Sequence, residues 1–304
     1  MCKYIYERNE IVDKIIEPCS IIKVATHNGK WHADEMVAIS ILKGYLKEFW
    51  GGRPVKIVRT RTEEGFAGCQ FVLDVGKMDL ITDTQIRLDH HQNEKKFYEK
   101  GIQYATCGKL ADLMMTDWGH NKLCENGLFS LQAKDNGQRF TEDNLINCRE
   151  LTDPFTFVRR TNPIWSEKNV NLEEKFHDAL RMVEFVYNNL VKEIDGLKEA
   201  DRIMENVYMA ISKNEKVLVL PYYIKGWQKT VISKKKEYDV QYVIYPTLEK
   251  DEYNLELSPV NTKKLAWKDK QEGMTFLHKN GYMATFDNLD HAKKAVNELI
   301  KECA

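Results

Sequence analysis

The chain has 304 residues, 43% of them hydrophobic, with 45 basic and 46 acidic side chains and a formal net charge of −1. That length can bury a core of one large or two smaller domains. The charge balance excludes a global field that would draw the protein onto nucleic acid, so any phosphate must be held by a local pocket. The seven cysteines (Cys2, Cys19, Cys69, Cys107, Cys124, Cys148 and Cys303) include no Cys-x-x-Cys pair, and neither a disulfide framework nor a zinc finger is readable. Reduced thiols and a cytoplasmic location are the expectation. Glu7, Glu10, Asp13 and Glu17 make the first twenty residues too acidic for a transit peptide and too polar for a secretion signal. No apolar run approaches the roughly 18 residues of a membrane span.

In chain order, Ile21 to Thr26 (IIKVAT) reads as a buried strand, followed by the polar turn HNGKWH. A helix is predicted from about Asp34 to Phe49, stopped by Gly51, Gly52 and Pro54. Val55 to Val58, Phe71 to Val75 and Ile86 to Leu88 read as further strands, the last leading into Asp89. Strand, helix, strand in this order implies right-handed crossovers and a mainly parallel α/β sheet, with ligands at the carboxyl ends of its strands. From Leu172 to about Lys213, apolar residues at steps of three and four predict a long helix, with Gly196 as a point of bending or breakage. Strand-like runs at Val217–Leu220, Val240–Tyr245 and Tyr253–Leu257 and a closing helix from Asp290 to about Lys301 suggest a smaller α+β domain. The expected organisation is a domain over 1–170, a helical connector over 171–213 and a second domain over 214–304.

Four of the eight histidines, His27, His32, His90 and His91, fall directly after predicted strands, and Asp34, Asp74 and Asp89 accompany them. Imidazole with carboxylate suits manganese, iron or zinc better than calcium, which prefers oxygen alone. Singly, each residue has a plain explanation: Asp34 is also a helix first-turn carboxylate favoured by the dipole. Asp74, closing the apolar run FVLDV, is harder to explain that way, because a carboxylate at the mouth of a buried strand is costly without a partner. Three strand ends converging on one crevice can hold two ions. A two-metal site would polarise a phosphoryl oxygen and generate hydroxide near neutral pH.

The segments THNGKWHADE (Thr26 to Glu35), VRTR (Val58 to Arg61), VLDVG (Val72 to Gly76), LDHHQ (Leu88 to Gln92) and KDNG (Lys134 to Gly137) follow one another in the chain. In that order they resemble the melanocyte-proliferating-gene family, a branch of the Asp-His-His phosphoesterase superfamily. TNPIW (Thr161 to Trp165) and FLHKNGYMATF (Phe276 to Phe286) resemble that family's later landmarks, so the likeness covers roughly residues 21 to 300. It implies a mainly parallel Asp-His-His phosphoesterase domain joined by a long helix to a smaller α+β substrate-binding domain. It also implies a divalent pair, Mn2+ with Mg2+ as the alternative, on His27, His32, Asp34, Asp74, His90 and Asp135, with Asp74 shared. His91 would face the substrate phosphate and protonate the leaving oxygen, with Asp89 orienting the pair and Asp74 beside the attacking group.

The activity so implied is that of a 3′–5′ exoribonuclease using a two-metal-activated hydroxide, with RNA or a short oligonucleotide as partner. The wider superfamily keeps a pyrophosphatase or a small cyclic-dinucleotide hydrolase open, as does a non-catalytic nucleotide sensor. Substrate contacts are expected from Arg59, Arg61 and Lys77, which could neutralise phosphoryl charge, and from His278 and Gly281, where a backbone turn could approach phosphate. Tyr222, Tyr223 and Trp227, near Lys225 and Lys229, are aromatics that could stack on bases or simply pack. A homodimer also stays open. Two departures stand out: Lys77 where the family has a second glycine, and Thr106-Cys107-Gly108 where it favours small serines before a glycine.

Overall fold

The computed structural model describes residues 4–91, 95–138, 154–248, 251–267 and 270–302. Gln92 of the LDHHQ segment and three of the cysteines, Cys2, Cys148 and Cys303, lie outside them. Contacts divide the chain into Met1–Asp195 and Gly196–Ala304. Among the described residues no helix is long and apolar enough to cross a membrane.

The first unit opens with α1 (Glu10–Ile16), whose N-terminal N–H groups are capped by the Asn9 side chain. Then come β1 (Ile22–Thr26), α2 (Ala33–Phe49), β2 (Val55–Arg59), α3 (Glu63–Phe66), β3 (Phe71–Leu73), β4 (Leu80–Ile81) and β5 (Ile86–Leu88). The sheet order is β2-β1-β3-β5-β4, parallel except for the edge strand β4. The short strands are nearly continuous apolar runs because both faces of a parallel sheet are covered. Val24, Phe71, Leu73 and Ile86 are wholly buried.

Helix α2 is buried over most of its girth, from Asp34 to Leu46, because it lies between the sheet and α4 (Thr106–Met114). Each of its buried Val, Ile and Leu side chains contributes about 1.5–3 kcal/mol. Helices α5 (Asp117–Leu123) and α6 (Phe129–Asp135) follow, joined through a wide turn at Cys124–Leu128, where Gly127 takes a φ of 144°. α7 (Val158–Thr161) precedes α8 (Leu172–Met209), which runs without interruption through Gly196 rather than breaking there. Helix-breaking by one glycine costs only about 1 kcal/mol, and the apolar positions on either side outweigh it.

The second unit holds a mixed sheet in the order β6-β7-β8-β10-β9. Its strands are β6 (Val217–Val219), β7 (Tyr242–Pro246), β8 (Tyr253–Leu257), β9 (Met274–Leu277) and β10 (Met283–Phe286), with α9 (Trp227–Lys234) inserted after β6. β6 and β7 are parallel and the rest antiparallel. α10 (Leu289–Glu302) buries Ala292, Ala295, Val296 and Leu299 against Tyr242, Ile244, Leu255 and Phe286. Trp227 and Val231 of α9 pack with Val243 and Tyr245 on the sheet's other face. The architecture is the α/β class expected from sequence, with a parallel sheet, a long helix and an α+β second unit.

Candidate metal centre

Strands β1, β3 and β5 are neighbours, and each ends where a polar residue begins: His27 after Thr26, Asp74 after Leu73, and Asp89-His90-His91 after Leu88. The parallel sheet therefore delivers residues far apart in sequence to one edge. Asp74 leaves its strand at a φ of 59°, a left-handed conformation that aspartate tolerates better than most side chains. Its backbone N–H donates to the Leu88 carbonyl at 2.9 Å, so the strained residue is tied to the neighbouring strand.

The Asp74 carboxylate lies between two sets of donors. One oxygen is 3.4 Å from His27 Nε2, and the other is 3.2 Å from His90 Nε2. On the first side, His27 Nε2 is also 3.2 Å from Glu35 Oε1, and His32 joins them; all four residues offer an atom within 4.8 Å of the others. On the second side, His90 Nε2 is 2.9 Å from Asp135 Oδ2 and 3.9 Å from Asp34 Oδ2. His32 Nδ1 is 3.8 Å from Asp135 Oδ1, which links the two sides. Asp34 is held by the N–H groups of Thr106 and Cys107, both at 2.9 Å, at the start of α4. All six residues predicted to hold metal are thus brought together.

Electrostatics reinforce the clustering. Burial disfavours a charged His27, but the carboxylates of Asp74 and Glu35 outweigh it and raise its pKa to about 10. Burial likewise opposes charge on His90, and Asp135 and Asp74 raise it to about 11. Asp34 is pushed up to about 7 by burial and by the nearby charges of Asp135 and Asp74. Burial also raises Glu35. Asp74 moves the other way: burial pushes it up, but the two imidazoles hold it below the usual carboxylate range. Four carboxylates outnumber the two buried imidazoles. His27 Nε2, Glu35 Oε2, Asp74 Oδ2 and His90 Nε2 are buried and, for all their close approaches, make no well-directed hydrogen bond among the described residues; a divalent cation satisfies such a set.

Asp89 sits behind His91: its Oδ1 accepts from the His91 backbone N–H at 3.0 Å and lies 2.8 Å from the ring Nδ1. Its Oδ2 accepts the Lys77 N–H at 2.7 Å. His91 is half exposed and borders a cavity of about 410 Å³ with His27, His32, Arg61, Phe66 and Lys77. Arg61 and Lys77 are the cations on this wall. Arg59 is turned into the packing instead: its side chain is 2% exposed, donates to the Gly29 carbonyl at 2.6 Å and lies over the Phe176 ring at 4.4 Å. Lys77 has a φ of 64°, so the position that departs from the family's glycine is one where glycine costs least. Lys77→Gly is expected to stabilise the fold by about 1 kcal/mol while weakening turnover. Urea denaturation and a steady-state assay on one preparation check both halves.

His278 and Gly281 lie in the second unit, in the hairpin between β9 and β10. Gly281, at a φ of 66°, donates to the His278 carbonyl at 2.7 Å, and its own carbonyl accepts the Leu265 N–H at 2.6 Å. The His278 ring accepts the Asn280 N–H at 3.2 Å and leans on Tyr282. Trp227 is wholly buried in the second unit's core, whereas Tyr222 and Tyr223 remain partly exposed. Sequence reading missed Glu35, whose Oε1 accepts the His32 N–H at 2.7 Å. Its spacing three residues after a helix-leading residue was the available signal.

A parallel α/β sheet whose strand ends gather two largely buried His/Asp/Glu donor sets defines a protein able to hold metal. The sequence pattern of the MYG1_exonuc family (uncharacterised protein family UPF0160) matches residues 23–299, and the chain belongs to that family. It is 30% identical to MYG1 exonuclease of Bos taurus over 185 residues, 53% of this chain and 47% of that protein. The chain thus spans about half the length of the mammalian relatives it matches. It is 23% identical to a MYG1 protein of Chlamydia muridarum over 302 residues, 92% of this chain and 96% of that one. Among solved structures it is similar to RecJ of Thermus thermophilus in complex with Mn2+. That likeness has a TM-score of 0.29 and 13% identity, over 96% of this chain and 54% of the other.

Proposed function

We propose that this protein is a divalent-metal-dependent phosphoester hydrolase that trims RNA or short oligonucleotides from the 3′ end. The observation that carries the reading is the Asp74 carboxylate, with one oxygen towards His27 and the other towards His90. A donor placed between two sets is what a two-ion site requires. His27, His32, Glu35 and Asp74 would hold one ion and Asp34, Asp74, His90 and Asp135 the other, with Mn2+ suited to this mixture of nitrogen and oxygen. Such a pair supplies a polarised phosphoryl oxygen and a more acidic attacking water.

The chain's own residues do the rest. Asp89 holds Nδ1 of His91, so the ring presents Nε2 to the cavity as the donor to a leaving oxygen. Hydrogen bonding to Asp89 raises the pKa of His91, which favours the protonated ring. Arg61 and Lys77 neutralise charge that develops on the phosphoryl group. His278 and Gly281 are proposed to contact substrate phosphate from the second unit. Support for a nucleic-acid substrate comes from the names of the mammalian relatives.

The test is incubation of the manganese-replete protein with oligoribonucleotides labelled at either end, beside pyrophosphate and a cyclic dinucleotide. Stepwise loss from the 3′ end supports the proposal; turnover of pyrophosphate or dinucleotide alone replaces it with small-molecule hydrolysis. Metal also acts on stability. At a hundredfold excess of Mn2+ over its Kd, the folded state gains about 2.7 kcal/mol. The melting temperature is therefore expected to rise with Mn2+ and to fall back on chelation. An unchanged melting curve would count against both donor sets.

A further inference from the structure

We propose that Asn136 is a positioning residue that fixes the tautomer of His90, its own amide being held by the backbone carbonyls of Gln103, Tyr104 and Gln132. The inference rests on the two-ion reading and deepens it. His90 turns Nε2 to Asp74, Asp34 and Asp135 and Nδ1 to the Asn136 side-chain oxygen, 2.9 Å away. An amide can be built either way round, so the assignment needs an independent constraint.

The surroundings supply it. The Asn136 amide nitrogen lies against three backbone carbonyls, 3.1 Å from Gln103, 3.3 Å from Tyr104 and 2.9 Å from Gln132. Turned over, the amide would set oxygen against three oxygens. The nitrogen therefore stays on the carbonyls, the oxygen faces His90, and only a protonated Nδ1 can satisfy it. With Nδ1–H so fixed, it is Nε2 whose lone pair would be free for an ion held among the carboxylates, the form of histidine that ligates metal. On the other side of Asp74, His27 follows the same plan with a backbone acceptor, its Nδ1 lying 3.3 Å from the Asn28 carbonyl.

Gln132 ties this arrangement to the Asp34 arm. It is fully buried. Its backbone carbonyl receives the Asn136 amide, while its side-chain oxygen accepts the Ala105 N–H at 3.0 Å. Ala105 directly precedes the two N–H groups that hold Asp34. The side-chain nitrogen of Gln132 donates to the Tyr98 hydroxyl at 3.1 Å. That hydroxyl is 2.9 Å from His120 Nε2, and His120 Nδ1 is 2.8 Å from Asp112. One hydrogen-bonded network thus supports a donor just after β5 and a donor from α2.

The measurement that needs no variant is the 15N signature of the His90 ring in Mg2+-loaded protein. A proton on Nδ1 is expected; a proton on Nε2 overturns the inference. The second measurement is Mn2+ affinity by titration calorimetry of Asn136→Leu, with folding checked by circular dichroism. The expected loss is on the order of ten- to a hundredfold. Affinity in Asn136→Leu within twofold of the parent overturns the inference and leaves the two-ion reading intact. Absence of any divalent-metal uptake by the parent protein defeats the two-ion reading itself, and this inference with it.

Discussion

Asp74→Asn is expected to lower hydrolysis on the order of a hundredfold or more while the chain still folds. The substitution is chosen over alanine because Asp74 sits at a φ of 59°, where asparagine is tolerated and alanine is strained. Shape and backbone geometry are kept, and the negative charge placed between the His27 and His90 sides is lost. Each side gives up its shared donor, and several kcal/mol of charge stabilisation in the transition state go with it; every 1.36 kcal/mol is tenfold in rate. The metal content per chain should fall in parallel. The check is a turnover assay on protein whose circular dichroism matches the parent, beside elemental analysis. Near-normal turnover would place the chemistry elsewhere in the molecule.

Gly108→Ala is expected to be strongly destabilising. A Cβ there would stand 2.0 Å from the Gln132 side-chain oxygen and 2.7 Å from the Tyr98 hydroxyl. Neither group is the free end of a flexible side chain: Gln132 is hydrogen-bonded on both sides of its amide, and Tyr98 is stacked on Tyr104 with centroids 3.7 Å apart. Relief means breaking buried hydrogen bonds, at about 1–3 kcal/mol for each group left unpaired, on top of the overpacking strain. A loss of about 3 kcal/mol is expected. Gly196→Ala is the control, since nothing lies within 4 Å of its would-be Cβ and the glycine is inside α8. It should gain about 0.5–1 kcal/mol. Urea denaturation of the two variants reads both signs; a neutral Gly108→Ala would mean that the network yields easily.

Much of the site could be read in the sequence because the parallel sheet converts sequence into position. Once Ile22–Thr26, Phe71–Leu73 and Ile86–Leu88 are strands, His27, Asp74 and Asp89 to His91 must emerge at one edge. The first helix and its stop were equally legible from their periodicity and from Gly51 and Gly52. Glu35 was not, since a carboxylate in a helix's first turn already has a reason to be there. Asn136 and Gln132 were invisible for a different reason: amides acting through hydrogen bonds leave no periodic trace. The helices α4 to α6 are short and interrupted at Gly127, so no stripe long enough to recognise survives. Lys77 and Thr106-Cys107 marked departures whose meaning needed backbone angles and hydrogen bonds to appear.

The donors of the centre come from positions 27, 32, 34, 35, 74, 90 and 135, so the order of synthesis matters to it. A nascent chain that has delivered β1 to β5 carries one donor set complete, whereas the other lacks Asp135 until α6 has been made. The contacts that join these segments are long in sequence, and such contacts form late and slowly. On the two-ion reading, divalent-metal affinity would therefore arrive in two instalments during folding. The second would come only when α6 packs against α2, and the ion would then act as a clasp on a chain already largely closed.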